Sequence, residues 1–261
     1  MSSARIASGV GGLVALVLAV AACGGGGSDI ADPSVSPGAV ACDALLSQSY
    51  EYHVKVDLDV GPVPTPPAPT GQGKSPFHFT TTIQGKIQDG AKVDANINNT
   101  DGANMATFEA IQIGNTGYLN FGEGQGWQAS DTSQRGIPLP YLPDGLCQAL
   151  TPDINTMTLG SSQDELVNGI DSSTYTLADL PTQFFLKAPD FGGDSGDMIK
   201  AVSGSVSIAK KGLYPSKFDI TGTGTYPSGQ VLTVQLAFEV SNMQGDITVT
   251  APESATGAPA N

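Results

Sequence analysis

Few residues of this 261-residue chain are equipped for covalent or acid–base chemistry: three cysteines, Cys23, Cys42 and Cys147, and two histidines, His53 and His78. Both histidines fall at polar positions of alternating segments, which reads as solvated surface imidazole rather than a poised base. Gly193-Asp194-Ser195-Gly196 has the letters of a serine-nucleophile segment, but neither histidine has the surroundings of a partner base. Asp94-x-Asn96-x-Asn98 starts like a calcium loop, yet Asn99 stands where that loop needs glycine and Met105 where it needs a bidentate glutamate. Strand alternation opposite Val93, Ala95 and Ile97 produces the same spacing. There is no GxSxG elbow, no HExxH pair and no phosphate-cradling loop. The chain therefore reads as a non-enzyme, with no catalytic residue, no metal ligand set and no cofactor.

The cysteines carry more. Arg5 opens a thin positive region, and Val10 to Ala22 is an apolar run of thirteen residues. About 20 apolar residues are needed to span a bilayer as a helix, so the run has the length of a signal-peptide core. It ends Val20-Ala21-Ala22-Cys23, the pattern of a bacterial lipobox. The small residues let a peptidase hold the extended backbone, and the thiol takes a diacylglycerol. Residues 1–22 are then a lipoprotein signal peptide, Cys23 the lipidation site, and the Gly/Ser/Pro-rich residues 23–39 a flexible tether. The destination is the cell membrane, lipid-anchored on its extracytoplasmic face. The alternative is an ordinary secretory signal with Cys23 incidental.

Cys42 and Cys147 remain. In an exported chain two leftover thiols most simply pair with each other, and no CxxC points to a metal or redox role. The loop they would close is long, which in the chain-entropy view is worth about 4–5 kcal/mol as an upper figure. Both sit in short helix-compatible stretches, so the bridge would staple helix to helix. Two buried free thiols are the other reading.

The elements that must position these groups are mostly strands. In residues 50–60, Tyr50, Tyr52, Val54, Val56, Leu58 and Val60 share one face, and Glu51, His53, Lys55, Asp57 and Asp59 the other. Residues 77–88 repeat the pattern, with Phe77, Phe79, Ile83 and Ile87 on the dry side. Asp89-Gly90 then reads as a two-residue hairpin turn into Ala91, Val93, Ala95 and Ile97. Further strands are expected near 105–113, 117–121 and Trp127, then at 203–209, 213–223, 230–241 and 247–250. Between the two groups, residues 137–190 carry prolines and short helix-compatible pieces at 143–150, 163–169 and 179–187, the last with Asp179 as N-cap. Another short helix is expected within 40–49. Residues 61–76 are a proline-rich excursion, either a lid or partner ligand or an inert insertion. One domain over 40–251 and a disordered tail at 252–261 complete the plan.

The net charge of −14 excludes nucleic acid, whose phosphates need basic surface. It also argues against membrane docking by charge, which leaves attachment to the acyl anchor. Gly and Pro, 33 and 18 in number, leave little room for long helices. Antiparallel strands with helices gathered in one segment indicate an α+β domain whose helices cover one dry sheet face.

Several stretches, in this order, resemble the LppX/LprG-type lipoproteins of mycobacterial envelopes: Tyr50 to Val60, Phe77 through Gly85 to Ile87, EAIQIGNTGYLNFGEGQGW with Gly117-Tyr118 and Gly126-Trp127, SGSVSIAKKGLYPSKFDITGTG, and the closing Ser241-Asn242, Ile247 and Pro252. The resemblance covers roughly residues 40–252, with a lipobox in front. It implies a LolA/LolB-like fold, a curved antiparallel half-barrel with short helices on its concave face. It implies an apolar cavity between them for an acylated lipid or glycolipid, and an envelope transporter as a further partner. The proline-rich insertion, the cysteine pair and the proline-rich middle depart from that pattern. Tyr52, Val54, Val56, Leu58, Phe79, Ile83, Val93, Val234, Leu236 and Phe238 would line such a cavity. The other reading of the same residues is a filled core, giving a structural or protein-interaction lipoprotein with no ligand.

Overall fold

The computed structural model describes residues 40–64, 75–122, 124–131, 143–156, 159, 161–178 and 199–256. Clean alternation makes β1 (Tyr50–Val60) and β2 (Phe77–Gln88) long strands with one buried face each. Asp89 and Gly90 both have positive φ, 52° and 64°, the backbone of a tight turn that matches strand twist. They deliver β3 (Lys92–Asp101), followed by β4 (Asn104–Ile113), β5 (Thr116–Asn120) and β6 (Trp127–Asp131). A short helix α1 (Asp43–Ser47) lies against the Asp89-Gly90 turn, where the Gly90 amide donates to the Gln48 carbonyl at 3.2 Å. A Cβ on Gly90 would run into the Leu46 carbonyl. Gly90→Ala is therefore expected to cost about 1–3 kcal/mol, read as a lower urea midpoint.

After β6 the chain passes through helix α2 (Pro143–Thr156) and re-enters the sheet at its opposite edge as β7 (Gln163–Val167). It meanders back through β8 (Ile170–Leu177), β9 (Ile199–Ala209) and β10 (Pro215–Thr225) to β11 (Val231–Ser241), which pairs with β1. A last strand, β12 (Ala255–Thr256), runs parallel to β6 and covers part of that edge. The result is one open sheet of twelve strands in the order β12-β6-β5-β4-β3-β2-β1-β11-β10-β9-β8-β7, antiparallel except at β12. The two helices described lie on its dry face.

The sheet is curved. In the β7–β8 turn the Asn168 side-chain NH2 donates to the Val240 carbonyl of β11 at 3.1 Å, although β9 and β10 lie between β8 and β11 in the sheet. Only a sheet that curls can bring those elements together. The register aligns apolar residues across eight strands: Phe108, Ile97, Ile83, Val54, Phe238, Phe218, Val206 and Tyr175. All but Phe108 are buried. Such cross-strand rows, more than any local propensity, hold the sheet together.

Four expectations change. Residues 163–169 are strand β7 and a turn, not a helix, and 170–177 add a strand beside it. Asn168-Gly169, with φ of 48° and 85°, is a hairpin signal that overrides the helix-compatible Gln163 to Leu166. Helix α2 runs past 150 to Thr156, with Pro143 at its first position and Pro152 tolerated at an exposed site. Ile247 and Val249 are buried and alternate, but 245–250 form no ladder; instead the Val249 amide donates to the Gln88 side chain at 3.0 Å. Of the expected disordered tail from 252, Ala255–Thr256 lie beside β6. The expected helix at 179–187, its Asp179 cap, Gly193-Asp194-Ser195-Gly196 and most of the 61–76 excursion lie outside the described residues, as does Cys23.

Candidate functional site

The apolar residues named from sequence fall on one face. Tyr52, Val54, Val56, Ile83, Val93, Val234, Leu236 and Phe238 are buried, and Leu58 and Phe79 are half-buried. Register explains the grouping, because β1 pairs Val54 with Ile83 on one side and Phe238 on the other, and Leu58 with Phe79 and Val234. The Phe218 and Phe238 rings stack at 4.8 Å. Tyr52 lies over Gly85, where a Cβ would come within 2.5 Å of its ring. Among the polar residues on this face, Thr81 and Asn99 satisfy each other, the Thr81 hydroxyl donating to the Asn99 side chain at 2.9 Å.

The helical cover is fastened to the point where the chain enters the domain. Cys42 and Cys147 are joined, with Cα atoms 5.8 Å apart. Thr151, one turn further along α2, has its hydroxyl 3.1 Å from the Cys42 sulfur and 3.5 Å from the Cys147 sulfur. Another turn on, Asn155 brackets Val40: its side-chain oxygen accepts from the Val40 amide at 3.2 Å and its NH2 donates to the Val40 carbonyl at 3.1 Å. Residues four apart on one helix face thus clamp residues 40–42. Leu146 and Ile154 of α2 and Ala44 and Leu45 of α1 join the same buried cluster as the dry face.

Burial grades across the face. Around Val54, Leu236 and Phe238 it is sealed. Toward the end where β1, β3 and β5 finish and β2, β4 and β6 begin, Leu58, Phe77, Phe79, Phe108 and Leu119 are only partly covered. At this end, beside the part of β4 that β5 does not reach, a groove of about 500 Å³ is lined by Met105, Ala106, Thr107, Phe108, Phe121 and Gly122; Phe108 belongs to the dry face, while the register puts Met105 and Thr107 on the other. Phe108 and Phe121 face each other with ring centroids 6.2 Å apart. Met105, Phe108 and Phe121 are not among the cavity residues named from sequence. Phe108 and Ala110 alternate as Val54 and Val56 do, so the signal was present, but the exposure of Met105 and Phe121 was not legible.

The wet face is polar and shallow. An opening of about 590 Å³ there is lined by residues including Glu51, His53, Lys86, Asp94 and Glu239. His53 stands 3.8 Å from Glu239, and His78 3.4 Å from Asp59. Asp94 pairs with Lys86 at 3.2 Å, while Asn98 bonds Asn96 and Thr107, so the calcium-like spacing is a row of cross-strand partners. Among the described residues no cluster of His, Cys, Asp or Glu could hold a metal ion, and no helix is long and apolar enough to cross a membrane.

Two wet-face carboxylates are tuned. Burial pushes the Asp57 carboxyl up, but hydrogen bonds from Lys55 at 2.6 Å and Thr80 at 2.6 Å, with the nearby positive charges, outweigh it and hold it below its ordinary 3.8. A hydrogen bond from Thr174, with Lys217 and Ser207, holds Glu165 below 4.5. A carboxyl lowered on folding stabilises the fold above its unfolded value and loses that contribution as pH falls through the folded one. The urea midpoints of Asp57→Asn and Glu165→Gln are thus expected below that of the parent at pH 7, converging with it below about pH 4.

No protein-family model matches the chain, and no curated protein matches it. Among solved structures it is similar to LprF from Mycobacterium bovis, at 11% identity and a TM-score of 0.44, over 80% of this chain and 91% of that one. It is also similar to the LolA superfamily protein NE2245 from Nitrosomonas europaea, at 11% identity and a TM-score of 0.25, over 81% of this chain and 96% of that one. These are likenesses of outline. What the chain's own residues define is a curved open sheet with a stapled helical cover on an apolar face.

Proposed function

We propose that this chain is a cell-envelope lipoprotein, anchored through Cys23 on the extracytoplasmic face of the membrane, that binds or shuttles an acylated lipid or glycolipid on the dry face of its sheet. The observation that carries the reading is the unbroken apolar row across eight strands that ends in an accessible groove at Phe108 and Phe121. Acyl chains need apolar wall and a mouth, with few directed polar contacts. The graded burial favours Leu58, Phe77, Phe79 and Phe108 over the sealed centre as the seat of that ligand. An envelope transporter is the natural onward partner, and the wet face offers no catalytic constellation among the described residues.

Organic extraction of the purified mature lipoprotein, followed by lipid mass spectrometry, tests the ligand. Stoichiometric non-covalent lipid is expected, and its absence would sink the reading. Anchoring is tested separately: Cys23→Ala is expected to shift the protein from the detergent phase to the aqueous phase.

A second reading has its own support. The burial of eight of the ten named residues favours a filled core, and hence a structural or interaction lipoprotein. An extracted protein free of lipid would choose it.

A further inference from the structure

At the end of the sheet where β1 begins and β11 finishes, a cleft of about 510 Å³ lies among the end of α1, the start of β8, the β9–β10 turn and the segment after β11. Its apolar wall is Ile170 and Met243, which pack against the same core as Tyr214. Its polar groups come from that turn and from Gln48 and Gln244, which bond each other at 3.2 Å. The cleft shares no lining residue with the groove at Phe108 or with the wet-face opening at Glu51.

Two groups in it have nothing to do within the protein. Tyr214 is 6% exposed, yet its hydroxyl has no hydrogen-bond partner among the described residues. Buried polar groups are paired in the large majority of cases. Burial pushes the Tyr214 phenol above its ordinary 10.0, so it stays a neutral donor. Lys211 is exposed and meets no carboxylate among the described residues. Its neighbour Lys210 is held at 3.4 Å by Asp171 and at 2.9 Å by Asp164, which lies outside the lining. Of the lining charges, Asp171 therefore offsets Lys210, and Lys211 is left as a surplus ammonium in a chain of net charge −14. The turn between the two groups is bent to put both on one cleft. Gly212 and Leu213 have φ of 92° and 53°, and a bulky residue in that region is uncommon.

We propose that this cleft binds a singly charged oxyanion carried on an apolar stem, a carboxylate or a phosphodiester, with the Lys211 ammonium and the Tyr214 hydroxyl donating to the anion and Ile170 and Met243 lying against the stem. Lysine meets an oxyanion as a point charge, and hydrogen bonds from ionised donors are about twice as strong as neutral ones. One surplus positive charge selects a monoanion. A phosphate monoester would bring a second negative charge beside Asp171 with nothing to oppose it. The proposal does not depend on a lipid at the dry face.

Saturation-transfer NMR on the full-length mature protein in non-ionic detergent tests it with four soluble probes. Hexanoate and dibutyl phosphate carry apolar stems; acetate and dimethyl phosphate are their stemless counterparts. At least one stemmed probe is expected to titrate to saturation, with its counterpart about tenfold weaker or more. Lys211→Met and Tyr214→Phe are each expected to weaken binding about tenfold. Their urea midpoints should stay at the parent value, because neither group bonds to the protein. Lys86→Met, on the wet face, leaves binding unchanged. Lys211, exposed in a turn, carries the test if Tyr214→Phe proves unstable. Hexanoate binding alone makes the ligand a carboxylate, and dibutyl phosphate binding alone makes it a phosphodiester; either supports the proposal. No binding by either stemmed probe would overturn it, as would stemless probes that bind equally well, or a loss from Lys86→Met equal to that from Lys211→Met. Binding that responds to Phe79→Ala but not to Lys211→Met would also overturn it and leave the dry-face reading standing.

Discussion

Phe238→Ala is expected to destabilise the domain by about 3–5 kcal/mol, among the largest single effects available in it. Phe238 is 2% exposed, stacks on Phe218, and sits opposite Val54 in the row that joins the two halves of the sheet. Truncation removes the transfer free energy of the ring and leaves a void that the neighbouring rows can only partly close. For a domain of this length the loss appears as a melting temperature lower by about 2–4 °C per kcal/mol. The same substitution at Phe79 is the informative contrast. Phe79 is half-buried near the open end, so Phe79→Ala is expected to cost less stability and to lower the amount of co-extracted lipid. Equal stability losses at the two positions, with no change in lipid, would mean that the face is core throughout.

Removing the staple comes second. Cys42→Ser combined with Cys147→Ser is expected to lower stability by about 2–4 kcal/mol, since the bridge closes a loop with a sequence separation of 105. The loss is not confined to the unfolded chain. Cys42, Thr151, Asn155 and Val40 form one clamp, so serines at 42 and 147 remove its covalent link and leave α2 held to the chain entry by non-covalent contacts such as the Asn155–Val40 bonds. Amide exchange in α2 is therefore expected to accelerate more than exchange in β1, β2 or β11, whose ladders do not depend on the bridge. Uniform acceleration across all elements would show that the bridge acts on global stability alone. The same clamp joins the helical cover of the apolar face to the chain entry at residues 40–42.

Alternation made most of the sheet legible. Tyr50 to Val60 and Leu232 to Val240 have side chains sorted two by two, and a strand with one dry face has only one way to lie. Asp89-Gly90 was readable for the same kind of reason, since few residue pairs accept two successive positive φ values. Residues 163–177 failed because Gln163, Asp164, Glu165 and Leu166 suit a helix locally. Their strand is decided by pairing with β8 through Asn168-Gly169, a contact between segments. Ile247 and Val249 failed in the opposite sense. Their pattern is a strand's, yet they bury against the core without a ladder, because the Gln88 side chain supplies the hydrogen bond that a neighbouring strand would have given.

The candidate site divides along the same line. That Tyr52, Val54, Leu236 and Phe238 turn inward is local information, carried by a period of two along each strand. The Val20-Ala21-Ala22-Cys23 pattern, the supply of two further cysteines and the acidic balance are also written residue by residue. Tertiary structure alone decided that β11 returns to pair with β1, which sets the N-terminal and C-terminal strands into one curved face. It decided too that Cys42 meets Cys147 beside Thr151 and Asn155, and that the face is sealed at Phe238 and open at Phe121. Closure, stapling and exposure are properties of how distant segments meet. A one-dimensional pattern records which way a side chain points, but not what arrives to cover it.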